Sequence, residues 1–412
     1  METVQFEQLI SVGCGIDVHK DVIVATIRKS NKDYQTKSYS AFTSSLIDLR
    51  DWCKSEGVTH IAMESTGIYW KPLFNILEED FEIILVNARH IKNVPGHKTD
   101  KKDSIWISKL LLSGLLKGSF IPPQENRELR DLIRYKKKKT QFIASEKNRM
   151  IKFLEDCNIK LSSVVSDTQG VSATKIINDI IDGNDEVTHL LTHIHGKVKA
   201  DRSEIFKALT GRITPHHRFM LKMIRKTIDE NEKLIEEIDK QIDLCVEKYQ
   251  VELQLLQTID GVGRDTAITL ISEIGVDMNQ FENEHHLASW AGLSPGTNES
   301  AGKKKSTRVI HGNKFVQSAL VEAAWGATRK KDCYLKGFYH KLLIKKGAKK
   351  ALVAVSHKII KAAYHILKNK EEYKEPIVQI EKVNQRNKQK NIQRSISKLM
   401  ELGFSVRLTP MA

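Results

Sequence analysis

The strongest constraint on the fold lies in the first third of the chain, where β-branched apolar runs alternate with helical ones. GCGIDVHKDVIVATI (13–27) reads as strand, and KDYQTKSYSAF (32–42) offers a weaker alternating strand. TSSLIDLRDWCKSEG (43–57) opens on Thr and Ser, sets Leu46, Leu49 and Trp52 on one face and stops at Gly57, so it reads as a helix. VTHIAMES is a strand, IYWKPLFNILEED a helix and FEIILVN a strand, and a helix runs from about Lys101 to Leu116. This order describes an α/β layer with much of its sheet buried.

At 412 residues the chain exceeds one compact core. After IPPQ its character changes: 124–155 is a long basic helix carrying Arg127, Arg130, Arg134, the run Lys136, Lys137, Lys138 and Lys139, then Lys147, Arg149 and Lys152. Such a face is either solvated or turned to phosphates. Residues 156–215 read as short helices. From 217 to 252 a heptad emerges, with Leu221, Ile224, Ile228, Asn231, Ile235, Ile238, Ile242, Cys245 and Tyr249 at its seam. That coiled coil pairs either with the 124–155 helix or with a second copy. Residues 253–375 form another helical, basic block, and the Gln- and Lys-rich tail 376–412 is expected to be flexible or to order on a partner. The expected domains are therefore 1–123, 124–252, 253–375 and 376–412.

Lys and Arg number 66 against 51 Asp and Glu, a net charge of +15. A surplus of that size points to a polyanion, because cations gain affinity by displacing the counterions of phosphates. Five cysteines, widely spaced and without a CxxC pair, argue against a zinc site or a disulfide framework and fit a reducing cytoplasm. No apolar run reaches membrane-spanning length, and METVQFEQLI lacks a signal-peptide pattern. The histidines, HIH at 193–195 and His285–His286 included, lack ligand partners at useful spacing and read as surface or packing residues.

Four acids carry the chemistry. Asp17 sits inside an apolar strand, where a carboxylate is costly unless paired, hydrogen-bonded or bound to a metal. Glu64 ends another apolar strand, and sites gather at the C-terminal ends of strands in α/β sheets. Asp100 and Asp103 in HKTDKKDS share one helix face, about 5–6 Å apart at Cβ. Together they offer oxygen donors of the type that Mg²⁺ prefers, and two such ions about 3.5–4 Å apart can clamp a phosphodiester.

In the second half, LLQTIDGVGRDTAITLISEIG (255–275) is two helical stretches joined at Gly261-Val262-Gly263, similar to a helix–hairpin–helix whose backbone N–H groups and Arg264 meet a phosphate. WAGLSPGTNESAGKKKSTRVIHGNKF (290–315) reads as a flexible, basic loop that touches phosphates through Lys303, Lys304, Lys305 and Arg308. Its composition singles out no serine nucleophile.

GIDVHK, AMESTGIYW and KTDKKDS, in that order and spacing, resemble the DEDD-type insertion-sequence transposases, the insertion-sequence family numbered one hundred and ten. ESAGKKKS and ALVEAAW (319–325) are similar to the same family's C-terminal transposase domain. The resemblance implies an RNase H-like (RuvC-like) N-terminal domain, with Mg²⁺ held by Asp17, Glu64, Asp100 and Asp103. It implies a C-terminal serine that attacks DNA and becomes joined to its phosphate, which falls on Ser300, with Ser294 and Ser306 as fallbacks. It further implies donor and target DNA, an element-encoded non-coding guide RNA, a homodimer or tetramer, and a cytoplasmic, nucleoid-associated prokaryotic setting. The rival readings are a hydrolytic Holliday-junction-type resolvase or nuclease, in which water attacks, and a non-enzymatic DNA-binding scaffold.

Overall fold

The computed structural model describes residues 8–30, 32–64, 67–86, 103–194, 198, 200–296, 298–300, 303–306, 308–331 and 333–406. The chain divides into two compact units between Ile121 and Pro122.

The first unit is built on a five-stranded mixed sheet of order β3-β2-β1-β4-β5. Strands β1 (Gly13–Val18), β2 (Val22–Arg28) and β3 (Tyr34–Ser40) form an antiparallel meander. Helix α1 (Thr43–Ser55) leads to β4 (His60–Glu64), which runs parallel to β1, and α2 (Trp70–Leu77) leads to β5 (Glu82–Val86), parallel to β4. Helix α3 (Asp103–Leu112) closes the unit. The period of two along β1 divides its side chains cleanly. Cys14, Ile16 and Val18 enter the core with Leu46, Leu49 and Trp52 of α1 and Leu73 and Leu77 of α2. Gly13 and Gly15 face the other way, against α3, and the same period puts Asp17 on that side, within reach of the charge of Asp103. Ala62 of β4 joins Ile107 and Leu111 of α3 on that same side. Small residues at the sheet's centre thus let α3 lie close.

A buried polar ladder fixes α3 against the sheet. Thr26 Oγ1 bonds Ser104 Oγ (2.8 Å) and Thr36 Oγ1 (2.9 Å), and Arg28 Nε donates to Ser108 Oγ (3.0 Å). These partners satisfy groups that would otherwise be costly to bury.

The second unit is mainly helical. Helix α4 (Gln124–Asp156) is followed by α5 (Leu161–Val164), α6 (Val171–Asp182), α7 (Val187–Leu190) with a 3₁₀ turn at Leu191–His193, α8 (Arg202–Leu209) and α9 (Pro215–Val246). Then come α10 (Gln250–Gln257), α11 (Arg264–Ile274) and α12 (Glu284–Trp290). A hairpin of β6 (Asn298–Ser300) and β7 (Lys303–Ser306) precedes α13 (Lys314–Ala327), α14 (Tyr334–Lys346), α15 (Ala348–Asn369) and α16 (Ile377–Glu401).

The heptad seam packs within the chain: α9 runs antiparallel to α4, with Lys136 bound to Asp239 (2.6 Å), Lys147 to Glu232 (3.3 Å) and His217 to Asp156 (3.0 Å). Leu221, Ile224 and Ile228 share a core with Ile143, Met150 and Leu154. Asn231 at the seam is 7% exposed and donates to Thr227 O (2.7 Å).

One expectation is corrected. The Ser300 segment is not a plain loop: Asn298–Ser300 and Lys303–Ser306 pair as antiparallel strands. Within the tail expected to be flexible or to order on a partner, Ile377–Glu401 is one 25-residue helix, whose Gln, Lys, Arg and Glu all favour helix. Among the described residues no helix is long and apolar enough to cross a membrane.

Candidate active site

Asp17 is the fifth residue of β1, and Glu64 ends β4. The two strands are parallel and in register up to Ile16–Met63, so these acids emerge side by side at the C-terminal ends of the sheet's central strands. Asp103 is the first residue of α3, where the helix dipole favours a carboxylate. Close packing of α3 over Gly15 brings that N-terminus to the same end. Asp100 lies outside the described residues.

The electrostatics register this convergence. Burial pushes the Asp17 carboxyl above its ordinary range, the imidazole of His19 draws it back, and the charges of Asp103 and Glu64 push it up again. His19 Nε2 lies 3.0 Å from Asp17 Oδ2. A half-enclosed cluster of like charges, rich in oxygen donors, suits a hard divalent cation better than it suits itself.

In the second unit, Gly261 and Gly263 differ in role. Gly261 has a φ of +87°, and a Cβ there would lie 2.2 Å from the carbonyl oxygen of Ala323, so the turn is packed against α13. Gly263 caps α11 and has open space where a Cβ would be. Arg264 is held by Asp243 (2.5 Å).

Several of the basic residues on α4 have partners inside the unit. Arg134 forms two hydrogen bonds of 2.9 Å with the carboxylate of Glu273 and stacks over Phe315. Arg130 reaches the same carboxylate (3.0 Å), Lys136 reaches Asp239, and Lys137 donates to Ser318. Glu273, 1% exposed, also accepts from Asn313 Nδ2 (2.6 Å). Lys138 is exposed, and Lys139 lies over the Tyr135 ring. The hairpin pairs Ser300 with Lys303 and Glu299 with Lys304 in backbone register, Lys305 lies in β7, and Arg308 is exposed.

Two clusters escaped the sequence reading. Asp260, Cys333 and Glu375 meet beside the Gly261 turn. Burial, with the Asp260 carboxylate alongside, pushes Glu375 up to about 6. Burial alone would raise Asp260 as well, but hydrogen bonds from Glu375, Lys330 and Cys333 outweigh it and hold that carboxyl below its ordinary value. Two carboxylates bond each other only when one keeps its proton, and the raised Glu375 is the one that keeps it on the acid side of about 6. The second cluster corrects the reading of the histidines: His189 and His193 both meet Asp179. Their four-residue spacing was a visible signal, whereas the Asp ten residues upstream of His189 was not an obvious partner.

Comparison with known proteins settles the class. Residues 14–159 match a DEDD-type family model described as Transposase, and residues 253–340 match one described as Transposase IS116/IS110/IS902 family. A pilin gene-inverting protein of Moraxella lacunata is 22% identical over 368 residues, which span 86% of this chain and 95% of its own length. A pilin gene-inverting protein of Moraxella bovis is 29% identical over 127 residues, 30% of this chain and 39% of its own. The protein is thus an enzyme of DNA recombination, a transposase with DNA as substrate. It belongs to the IS110 family of insertion-sequence transposases, whose two matched segments together cover more than half of the chain.

Proposed function

We propose that the chain is the recombinase of an insertion sequence, cutting and rejoining DNA through a serine–phosphate bond, with two Mg²⁺ ions held by Asp17, Glu64, Asp100 and Asp103. The observation that carries this reading is the crowding of Asp17 by Glu64 and Asp103 at one end of the sheet. A five-stranded mixed sheet with its acids at the ends of central strands supports the RNase H-like interpretation of this unit. When bound, the ions supply neutralisation of charge on the phosphate and activation of the attacking hydroxyl.

Ser300 is the nucleophile. Its Oγ–P bond forms as the P–O3′ bond breaks; the serine proton passes to a base, and the departing 3′ oxygen gains a proton. Attack by a 3′-hydroxyl from another strand reverses the step and rejoins DNA without ATP. Backbone pairing of Ser300 with Lys303 supports this role, since it sets the serine in a cationic hairpin. The start of α11 at Gly263, open where Gly261 is packed, suits a phosphate at backbone N–H groups in the manner of a helix–hairpin–helix. A guide RNA encoded beside the element, pairing with donor and target DNA, completes the reading, with exposed Lys138 on α4 as one contact. The active assembly is a homodimer or tetramer in the prokaryotic cytoplasm, associated with the nucleoid.

The test is a denaturing gel of protein expressed with the gene's native flanks, incubated with Mg²⁺ and labelled junction DNA. A protein–DNA adduct in wild type that disappears in Ser300→Ala and Asp17→Asn is the expected result. Cleavage that persists in Ser300→Ala without an adduct would assign water as the nucleophile and make the enzyme a hydrolytic resolvase.

A further inference from the structure

Asp179 lies on α6, and His189 and His193 lie on α7 and the 3₁₀ turn after it. The Nε2 atoms of His189 and His193 sit 2.9 and 2.5 Å from the same atom, Asp179 Oδ2. Their rings stand nearly perpendicular, at 82°, with centroids 5.3 Å apart. We infer that these three residues form a transition-metal site that takes Zn²⁺ through the two Nε2 atoms and Oδ2, with water in the fourth position.

The donor set separates this site from the acids of the sheet. Two imidazoles are borderline donors that favour Zn²⁺ over Mg²⁺, a carboxylate is a common third zinc ligand beside them, and three protein ligands with an open position are a familiar zinc arrangement. The framework is already built. Ile177 and Ile180 flank Asp179 and are buried, and Leu190, wholly buried, lies next to His189 in the same core. Arg218 of α9 clasps the intervening turn, donating to Ile180 O (2.5 Å) and to Asp185 Oδ2 (2.7 Å). An ion therefore has little backbone left to order on binding. His189 is about half exposed, which leaves a way in. The cluster lies between the two segments that match transposase models and includes none of the residues proposed for the recombination chemistry. The competing explanation is an aspartate that merely accepts two hydrogen bonds.

The experiment is a calorimetric Zn²⁺ titration of full-length protein stripped with EDTA, run in saturating Mg²⁺ so that the oxygen-donor site is occupied. Wild type should bind one more Zn²⁺ per chain than His189→Ala/His193→Ala. Co²⁺ should give a visible absorption band in wild type that the double variant lacks. Asp179→Asn should weaken Zn²⁺ by more than about tenfold, since it removes the anionic ligand. Equal stoichiometry in wild type and the double variant would overturn the inference, as would an Asp179→Asn affinity equal to wild type. Should the double variant fail to fold by circular dichroism, Asp179→Asn and His189→Ala carry the comparison alone.

Discussion

Gly15 and Ser108 pack backbone to backbone: a Cβ on Gly15 would lie 2.3 Å from the Ser108 nitrogen and 2.4 Å from the Ser104 carbonyl oxygen. Neither neighbour is a side-chain tip that can swing aside. Gly15→Ala must push α3 off the sheet, at a cost of about 2–3 kcal/mol. DNA cleavage should fall with it, because the same shift carries Asp103 away from Asp17. An unfolding midpoint in urea equal to wild type would contradict this account.

Removing metal should expose the repulsion among the acids. In EDTA, Asp17→Asn should melt at or above the wild-type temperature, since it deletes a half-enclosed charge beside Glu64 and Asp103. Added Mg²⁺ should raise the melting point of wild type and leave Asp17→Asn unmoved. Saturation to about a hundred times Kd is worth about 2.7 kcal/mol. Thermal scans across a Mg²⁺ series read both effects.

Glu273 is the sole carboxylate described against both Arg130 and Arg134, and it is buried. Glu273→Ala leaves two guanidinium groups facing each other without it, and should cost about 3–5 kcal/mol. Arg134→Lys should also destabilise, because a lysine cannot reproduce the two-pronged contact. Equilibrium denaturation of both variants tests the pair; a Glu273→Ala loss under about 1 kcal/mol would contradict the role of a buried clamp.

The proton shared by Glu375 and Asp260 gives the second unit an acid-side preference. Glu375 is raised from 4.5 to about 6, so its contribution is complete below 4.5 and is lost as pH climbs through 6. Asp260, held below its ordinary value, stays charged across that window. Melting temperature followed from pH 4.5 to 7 should decline in wild type. Glu375→Gln, whose amide donates at every pH, should flatten that slope.

The sheet and its acids were legible from local pattern because β1 and β4 are continuous apolar runs, against which a carboxylate stands out. The heptad of α9 was equally plain, yet nothing in it chose between α4 and a second copy; the choice rests on ion pairs such as Lys147–Glu232, 85 residues apart in the chain. Arg134 illustrates the limit. Its neighbours are lysines, so it reads as part of a phosphate-facing stripe, while its actual carboxylate lies 139 residues away. The Ser300 hairpin was hidden by its Gly, Ser and Lys content, which carries little strand propensity. Tertiary pairing overrides that weakness.

Helix α4 has one more property, which concerns phase. Its first half is keyed to the C-terminal block through Asn126, Arg130, Arg134 and Lys137, and its second half to the central bundle through Ile143, Met150 and Leu154. The two sets of teeth share a shaft of 33 residues, about 50 Å long. Adding one residue between Lys138 and Phe142 would turn one set about 100° against the other, while adding seven would bring them almost back into mesh. Natural variation in length should therefore collect elsewhere, in the turns between short helices, and leave this stretch at constant count.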